Sequence, residues 1–305
     1  MQIGMIGLGR MGMNMARRLL QGRQRVVAYN RSPARTAEIV REGAEGSESL
    51  AELVEKLAPP RVVWLMLPAG HVIDDHLAQL QDLLARGDVV VDGGNTFYKD
   101  DISRAEILAA RGVDFMDAGV SGGIWGLKVG YCLMLGGRRE TFEYLAPVLQ
   151  ALAPHDGYLY CGPVGAGHFV KMVHNGIEYG MMQAYGEGFA ILEASPYAQG
   201  LDYSRVAHLW NQGSVVRSWL LELLEAAFAR DGRLEGIRGY VEDSGEGRWT
   251  VQQAVDFGVP APVIALSLFQ RFRSREGDSF ADRVLAALRR EFGGHLVRTA
   301  GDQPS

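Results

Sequence analysis

The chain has 305 residues, 47% of them hydrophobic and 22% charged, and its formal net charge is −5 at pH 7. This balance excludes a disordered chain and argues against a general nucleic-acid binder, which usually carries a basic stripe. The length suggests two domains, and the 39 glycines, well above the usual share of about 7%, indicate turns or close approaches of backbone to a ligand. Two cysteines form no disulfide framework and no apolar run reaches the roughly 20 residues of a membrane span, so we expect a cytoplasmic protein without a signal peptide.

The first half of the chain alternates short apolar runs with amphipathic helical patterns. Helical patterns at residues 11–20 and 102–110 stand between some of these runs. The apolar runs cover residues 3–6, 26–29, 62–67, 89–92, 115–118, 132–135 and 158–160. Strands that alternate with helices at this spacing predict an α/β fold with a doubly wound, mostly parallel sheet of the Rossmann type.

The pattern changes near Gly162 and Pro163, after which no run predicts a strand. Helices are predicted at residues 167–193, 203–210, 215–230, 249–257, 263–273 and 280–292. We therefore expect a Rossmann-type domain over residues 1–162 and an all-helical domain over residues 163–305.

The motif Gly-x-Gly-x-x-Gly stands directly after the first predicted strand and opens a helix, with its glycines at positions 7, 9 and 12. Gly7 permits the tight turn, Gly9 lets a pyrophosphate approach, and Gly12 lets the helix pack on the strand. The helix N-terminus offers unpaired N–H groups to phosphates. The motif's place in a βαβ unit favours a dinucleotide site over the alternative, a glycine-rich structural turn.

The end of the second strand indicates which dinucleotide binds. An acidic residue there would bind the ribose 2′-hydroxyl and favour NAD, but this chain has Asn30 followed by Arg31. A guanidinium suits a 2′-phosphate, so the sequence favours NADP over NAD. The alternative is that Arg31 is a solvated loop residue.

A polar stripe runs along the long helix predicted at residues 167–193. Lys171, His174, Asn175 and Glu178 occupy positions i, i+3, i+4 and i+7, which places them on one helix face. A lysine and a glutamate on a largely buried helix need partners or a ligand; the alternative is a solvated face with a salt-bridged pair. Burial of this helix is predicted from its apolar residues Phe169, Val170, Met172, Val173, Ile177, Met181 and Met182.

Two glycine-rich loops, at residues 92–95 and 117–123, follow strands at the edge where doubly wound sheets bind ligands, and Asn95 and Ser121 offer hydrogen bonds there. The chain resembles the decarboxylating 6-phosphogluconate dehydrogenases of the β-hydroxyacid dehydrogenase superfamily. The resemblance rests on these two loops, on the Gly-x-Gly-x-x-Gly motif, on the Gly-His-Phe-Val-Lys-Met-Val-His-Asn-Gly-Ile-Glu-Tyr run of residues 167–179 and on the Phe-Gly-Gly-His of residues 292–295. It is similar to their short bacterial form, because the second helical repeat of the long form is missing.

The resemblance implies oxidation of 6-phosphogluconate with NADP or NAD, loss of CO₂ and formation of ribulose 5-phosphate, a reaction of the pentose phosphate pathway. Lys171 matches the base that takes the hydroxyl proton and, once protonated, stabilises the enolate formed by decarboxylation. To act as a base it must be neutral, which burial and nearby positive charge favour. Glu178 matches the acid that protonates C1 of the enediol.

The motifs and the resemblance together assign the ligand contacts. Cofactor contacts are expected from Gly7, Leu8, Gly9, Arg10, Met11, Gly12, Asn30, Arg31, Ser32, Leu67, Pro68 and Asn95. Substrate contacts are expected from Asn95, Ser121, Gly122, Gly123, His174, Asn175, Glu178, Tyr179, Arg271, Arg289 and His295. Tyr179 and Arg271 match phosphate contacts, whereas Arg289 and His295 match a pair from the neighbouring subunit. We therefore expect a homo-oligomer, a dimer or tetramer, with a shared site, and no metal, because the histidines and cysteines form no ligand motif.

One departure from the family pattern lies near the phosphate site. The long form has Lys-Gly-x-Gly-Lys-Trp-Thr, where residues 244–250 here read Ser-Gly-Glu-Gly-Arg-Trp-Thr, so Ser244 replaces a cation. The nearest rival is another β-hydroxyacid dehydrogenase, such as a 3-hydroxyisobutyrate or tartronate semialdehyde enzyme. A rival of another class is a catalytically silent NADP-binding regulator, which would need neither Lys171 nor Glu178.

Overall fold

The structure, a computed structural model, describes residues 1–293 and Leu296. The chain divides into two units, the first from Met1 to Asn175 and the second from Gly176 onward. This division falls inside the longest helix, whereas the boundary predicted between residues 162 and 163 falls at the end of the last strand.

An eight-stranded sheet forms the centre of the first unit. Its neighbouring strands are all parallel except for one antiparallel pair, the sixth and seventh. The strands are β1 (Gln2–Ile6), β2 (Arg25–Tyr29), β3 (Glu45–Gly46), β4 (Val62–Leu65), β5 (Val89–Asp92), β6 (Asp114–Ser121), β7 (Cys132–Gly136) and β8 (Tyr158–Gly162). They lie in the order β3-β2-β1-β4-β5-β6-β7-β8. The order reverses between β1 and β4, the point where doubly wound sheets bind ligands, and the predicted Rossmann-type sheet is confirmed.

Helices cover both faces of this sheet. Alternate strand residues point to opposite faces, and two separate apolar clusters form there. Met5 and Trp64 belong to one cluster, and their neighbours Ile6 and Leu65 belong to the other. The helices of the first unit are α1 (Arg10–Gln21), α2 (Pro33–Val40), α3 (Leu50–Glu55), α4 (His71–Leu83), α5 (Tyr98–Ala109), α6 (Gly126–Val129), α7 (Arg139–Tyr144) and α8 (Ala146–Leu152).

The long helix predicted after the last strand is confirmed as α9 (Ala166–Glu193). The described part of the second unit is helical, as predicted, and contains no strand. Its further helices are α10 (Tyr203–Trp210), α11 (Trp219–Arg230), α12 (Glu246–Asp256), α13 (Pro262–Arg273) and α14 (Phe280–Gly293). None of the helices in the described part of the chain is long and apolar enough to cross a membrane.

Helix α11 begins four residues later than its apolar pattern predicts. The side chain of Ser218 accepts a hydrogen bond from the backbone N–H of Leu221, and this N-cap sets the start of the helix at Trp219. Val215 and Val216 precede the cap and are exposed. An apolar pattern alone does not locate a cap, which explains why the predicted start at residue 215 was wrong.

Candidate active site

The loop between β1 and α1 has the shape that a dinucleotide needs. Gly7 has φ +93°, and a Cβ there would lie 2.4 Å from the carbonyl oxygen of Met66. A Cβ on Gly12 would lie 2.0 Å from the carbonyl oxygen of Gly7, so helix and strand pack closely at this position. A Cβ on Gly9 would meet no described atom within 4 Å, and this residue is exposed at the N-cap of α1. These three glycines fit the tight turn, the close packing and the open approach that a pyrophosphate requires.

Asn30 and Arg31, the two residues after β2 that are predicted to contact the cofactor, have different surroundings. Asn30 Oδ1 accepts a hydrogen bond from the backbone N–H of Leu8 at 2.9 Å, and its Nδ2 donates to the carbonyl of Ser32 at 3.3 Å. The amide of Asn30 therefore holds the glycine loop against the end of β2. Arg31 is exposed, as is Arg10 at the start of α1, so both guanidinium groups are accessible to an anion.

The remaining predicted cofactor contacts follow the neighbouring strands. Leu67 lies two residues after the end of β4, where it is half-buried against one of the two apolar clusters, and Pro68 beside it is exposed. Met11 is half-buried in the first turn of α1. These residues all lie at the carboxyl edge of the sheet or at the start of α1, and their contacts with a cofactor stay a prediction.

Lys171 and Asn95 meet at this edge of the sheet. The Nζ of Lys171 donates a hydrogen bond to Asn95 Oδ1 at 2.7 Å. The stem of the lysine lies over β6, because a Cβ on Gly119 would be 2.4 Å from the Cβ of Lys171. The structure therefore brings together two residues that are 76 positions apart in the sequence. Ser121 ends β6 and is half-buried, and the glycines that follow it turn the chain away.

A residue without an assigned role in the sequence analysis fixes the start of α9. Asp117 on β6 is fully buried and accepts hydrogen bonds from the backbone N–H groups of Gly165 and His168, both at 2.7 Å. Burial raises the pKa of this carboxyl group, although the charge of His168 and the backbone hydrogen bonds act in the opposite direction. The carboxylate satisfies N–H groups at the start of α9 and so anchors the helix that carries Lys171. A carboxylate inside an otherwise apolar strand is the sequence feature that could have pointed to this role.

The predicted burial of α9 is only partly correct. Met172 is buried, but Val170, Ile177, Met181 and Met182 are exposed. The apolar pattern shows which side chains favour burial and does not show what covers them, so the sequence could not separate burial within the chain from burial by a partner.

The next polar residues along α9 lie near the division between the units. His174 Nδ1 lies 3.0 Å from Asn175 Oδ1, so two of the residues predicted to contact substrate lie side by side. Glu178 is half-buried on the same helix, and Tyr179 is buried.

In the second unit, Tyr179 and Arg271 form one cluster. The guanidinium carbon of Arg271 lies 3.4 Å from the centroid of the Tyr179 ring, and its Nη1 donates to the carbonyl of Glu242 at 2.9 Å. The hydroxyl of Tyr179 accepts a hydrogen bond from the backbone N–H of Ser244 at 3.3 Å. The two residues predicted to bind the phosphate are therefore in contact, and the loop that carries Ser244 touches them.

Two further arginines lie close to this loop. Arg248 and Arg275 both donate to the carboxylate of Asp243 at 2.6 Å. The hydrogen bond from Arg248, followed by the one from Arg275, lowers the pKa of Asp243 to about 2. Arg248, which stands where the family pattern has its second lysine, is thus already paired with a carboxylate.

The last two predicted contacts, Arg289 and His295, lie near the end of the chain. Arg289 is exposed on α14 and makes no hydrogen bond or ion pair with the residues the structure describes. His295 lies outside the described residues. The expectation that these two residues reach a neighbouring subunit stays a prediction.

Three buried side chains of types that can ligate metals come together in the first unit. Ligand atoms of Asp92, Asp101 and His168 lie within 4.8 Å of one another. The Nη1 of Arg104 is 3.8 Å from Asp92 and 3.6 Å from Asp101. A guanidinium therefore already supplies positive charge to these carboxylates, which favours an internal ion-pair network over a cation site. No sequence pattern pointed to this cluster, because the predicted helix starts at residue 102, after Asp101.

Comparison with known proteins gives matches along nearly the whole chain. The profile described as the NAD binding domain of 6-phosphogluconate dehydrogenase matches residues 2–162, and the profile for the C-terminal domain of that enzyme matches residues 167–293. A 6-phosphogluconate dehydrogenase of Haloferax volcanii, described as NAD(+)-dependent and decarboxylating, is 44% identical over 304 residues, which cover 99% of this chain and 100% of that protein.

Two further comparisons agree with these. The Bacillus subtilis protein YqeC, whose name assigns it provisionally to the same enzyme, is 47% identical over 297 residues, covering 97% of this chain and 99% of that protein. Among solved structures, the 6-phosphogluconate dehydrogenase of Plasmodium falciparum, studied in its apo form and with NADP+ or 6-phosphogluconate, matches with a TM-score of 0.83 at 28% identity. That match covers 99% of this chain and 67% of the Plasmodium chain.

Proposed function

The chain belongs to the 6-phosphogluconate dehydrogenase family, and on that premise we propose that it oxidises 6-phosphogluconate with NADP⁺ or NAD⁺ and releases CO₂. The product is then ribulose 5-phosphate. The observation that carries the proposal is the position of Lys171, whose Nζ lies 2.7 Å from Asn95 Oδ1 beside the carboxyl ends of β5 and β6. An amine held at this edge of the sheet can exchange a proton with a substrate hydroxyl.

In the proposed reaction Lys171 takes the proton of the C3 hydroxyl as the hydride leaves C3. The bound nicotinamide supplies the hydride acceptor. Oxidation gives a 3-keto acid, and the protonated lysine then donates a hydrogen bond to the enolate that develops as CO₂ leaves. Glu178 then gives a proton to C1 of this enolate, which forms the ketone of the product. Residues 171 and 178 differ by seven positions on one helix, so they share a helix face.

The cofactor is proposed to bind through the three glycines and the exposed arginines. Gly9 lies open at the N-terminus of α1, where unpaired N–H groups and the helix dipole favour a pyrophosphate. Arg31 is exposed at the end of β2, at the position that contacts the adenosine ribose in this fold, and supports a preference for NADP.

The phosphate of the substrate is proposed to bind at Arg271 and Tyr179. Their stacked arrangement fixes the plane of the guanidinium, which suits a phosphate oxygen pair. At the position of the missing family lysine, the hydroxyl of Ser244 donates to Glu246 at 2.6 Å. Arg271 therefore supplies more of the positive charge here than in a site that keeps the lysine.

A homo-oligomer is proposed from the apolar surface of the second unit. Helix α14 exposes Phe280, Val284 and Leu288, which are spaced four residues apart and so share one face. Exposed apolar faces of this kind mark surfaces that another chain covers. Such a partner would bring its own Arg289 near this face, in line with the expected shared site.

A steady-state assay tests the proposed function. With 6-phosphogluconate, reduced cofactor and CO₂ should appear in equal amounts, and NADP⁺ should give the larger kcat/KM. The same assay with 3-hydroxyisobutyrate and glycerate examines the rival dehydrogenases. Turnover of either rival substrate without turnover of 6-phosphogluconate would contradict the proposal.

A further inference from the structure

A buried ion pair joins α5 to α9 close to the proposed base. His168 Nδ1 lies 2.7 Å from Asp101 Oδ2, and both side chains are almost completely inaccessible to solvent. His168 is three positions before Lys171 on α9, and its backbone N–H is bound by Asp117. The pair therefore fixes the helical turn from which the lysine projects.

The same pair is linked to the other partner of the lysine. Asp92 ends β5, where its Oδ1 accepts from the backbone N–H of Gly94 and its Oδ2 accepts from the hydroxyl of Thr96, at 2.9 and 3.0 Å. These bonds hold the two sides of Asn95. Arg104 then connects Asp92 to Asp101, with its Nη1 3.8 and 3.6 Å from their carboxylates. The contacts thus close a ring that runs from Lys171 through Asn95 and back to the turn of α9.

Burial of the charged side chains of this ring costs free energy of desolvation. This cost argues that the ring does more than fill space in the core. Burial disfavours the charged imidazole, but the hydrogen bond and charge of Asp101, with the charges of Asp92 and Asp117, outweigh it and raise the pKa of His168 to about 9. Burial raises the pKa of Asp101 to about 6, against the opposite effect of His168. A buried charged pair is seldom more stable than apolar side chains of the same size.

We propose that His168 is a positioning residue for the dehydrogenase reaction: through Asp101 and Arg104 it holds the turn of Lys171 and the loop of Asn95 at the distance that proton transfer needs. This inference rests on the proposed function of Lys171. It assigns His168 no contact with substrate or cofactor. Its effect should appear in kcat, with little change in the affinity for either ligand.

Two substitutions separate positioning from simple stability. His168→Asn keeps a donor near the place of Nδ1, so kcat should stay within about threefold of the wild type. His168→Leu removes the donor and should lower kcat at least tenfold, because a displacement of about 1 Å in a catalytic group can cost about 10²-fold. The Kd for NADP⁺ should be unchanged in both. Should His168→Leu fail to fold, loss of activity in a folded His168→Asn would overturn the proposal.

A double-mutant cycle shows whether His168 acts through Asn95. In an Asn95→Ala background the further change His168→Leu should lower kcat less than about twofold, since the contact it positions is already absent. A full tenfold loss in that background would overturn the proposal. So would a normal kcat in His168→Leu alone.

Asp88→Asn is the matched control, because it changes a buried ion pair far from this ring. Asp88 is buried and pairs with Arg61 at 3.1 Å. The two residues lie just before β5 and β4, at the N-terminal ends of these strands, whereas the ring lies at the C-terminal end of β5. It should lower Tm and leave kcat unchanged.

A second readout does not depend on turnover. The rate at which an acetylating reagent modifies Lys171, measured by peptide mass spectrometry, should rise in His168→Leu and stay constant in Asp88→Asn. If the wild type fails to oxidise 6-phosphogluconate, the proposed function fails while this rate still tests the positioning. An unchanged rate in His168→Leu would overturn the positioning itself.

Discussion

At the scale of single residues, the chemistry depends on one amine. Lys171 is half-buried, its stem lies against Gly119, and its Nζ is fixed on Asn95 at 2.7 Å. A lysine in this setting has few rotamers left, so its nitrogen is placed before a substrate arrives. The sequence predicted the residue from the helical stripe and the family run, but it could not provide the distance to Asn95.

Replacing Lys171 by alanine should therefore remove oxidation and spare cofactor binding. We expect kcat to fall at least about 10²-fold, the low end for general acid–base catalysis, while the Kd for NADP⁺ stays constant. Stopped-flow absorbance and fluorescence titration measure the two quantities. Lys56→Ala is the control, since that lysine pairs with Glu52 on α3. Near-normal turnover in Lys171→Ala would rule out its role as the base.

Arg31 gives the second prediction at this scale. Arg31→Ala should weaken NADP⁺ by about tenfold, equivalent to roughly 1.5 kcal/mol for a hydrogen bond to a charged group, and should weaken NAD⁺ much less. Isothermal titration with each cofactor measures the difference. Arg41→Ala, at the exposed far end of α2, should change neither Kd. Equal losses for both cofactors would show that Arg31 does not contact the 2′-phosphate.

At the scale of elements, the contact of α9 with β6 decides where the site forms. A Cβ at Gly119 would lie 2.4 Å from the Cβ of Lys171 and 2.9 Å from the carbonyl of Gly167. The helix can approach the strand this closely because the glycine has no side chain. Asp117, two residues earlier on the same strand, holds the N-terminus of the helix.

Gly119→Ala should push α9 away from β6 and lower both Tm and kcat. A loss of about 1–3 kcal/mol in the free energy of unfolding is the usual range for overpacking. Gly188→Ala is the matched control on α9, because a Cβ there meets no described atom within 4 Å and alanine is the better helix former. It should leave kcat unchanged and not lower Tm. A Gly119→Ala variant with wild-type Tm and kcat would contradict this account of the contact.

The sequence predicted most elements, and its errors share a cause. The seven strands longer than two residues coincide with apolar runs of the sequence, and such runs can be recognised from the local pattern alone. Strand β3 has two residues, too few for any pattern. The helical pattern predicts a start of α5 at residue 102, but the helix begins at Tyr98 with a polar first turn that carries Asp101. Polar helix ends have no apolar signal, and here such an end holds part of the buried ring.

At the scale of the whole molecule, the buried ion pair makes stability depend on pH. Folding raises the pKa of His168 from 6.5 to about 9, despite its burial, because of Asp101. The folded state therefore binds this proton more tightly than the unfolded state. The stabilisation is complete below pH 6.5 and is lost as the pH rises through 9.

The Tm of the wild type should thus fall between pH 6.5 and 9 more steeply than that of His168→Asn, which has no imidazole to titrate. Differential scanning calorimetry across this window measures the two slopes. Asp101 does not cause this fall in Tm, because its pKa of about 6 lies below the range from pH 6.5 to 9. Asp88→Asn keeps the imidazole and should keep the wild-type slope. Parallel curves for the wild type and His168→Asn would contradict the prediction.

Subunit mixing tests the proposed shared site. Subunits with Lys171→Ala and subunits with Arg289→Ala should each be weakly active alone. If Arg289 acts in the neighbouring subunit, mixed oligomers contain sites that are intact in both residues and regain activity. Differently tagged, co-expressed chains provide these hybrids, and wild type mixed with Lys171→Ala gives the reference. Hybrids without regained activity would contradict a shared site.

The doubly wound sheet, the helical second half, the glycine loop and the polar stripe on α9 can all be predicted from the amino-acid sequence. Each of these is a local pattern, set by periodicity, by glycine conformation or by spacing along one helix. Three contacts depend on the folded chain: Lys171 with Asn95, Asp117 with the start of α9, and His168 with Asp101 in a buried pair. These contacts join residues far apart in the chain, and their distances depend on how strands and helices pack, which no local pattern encodes.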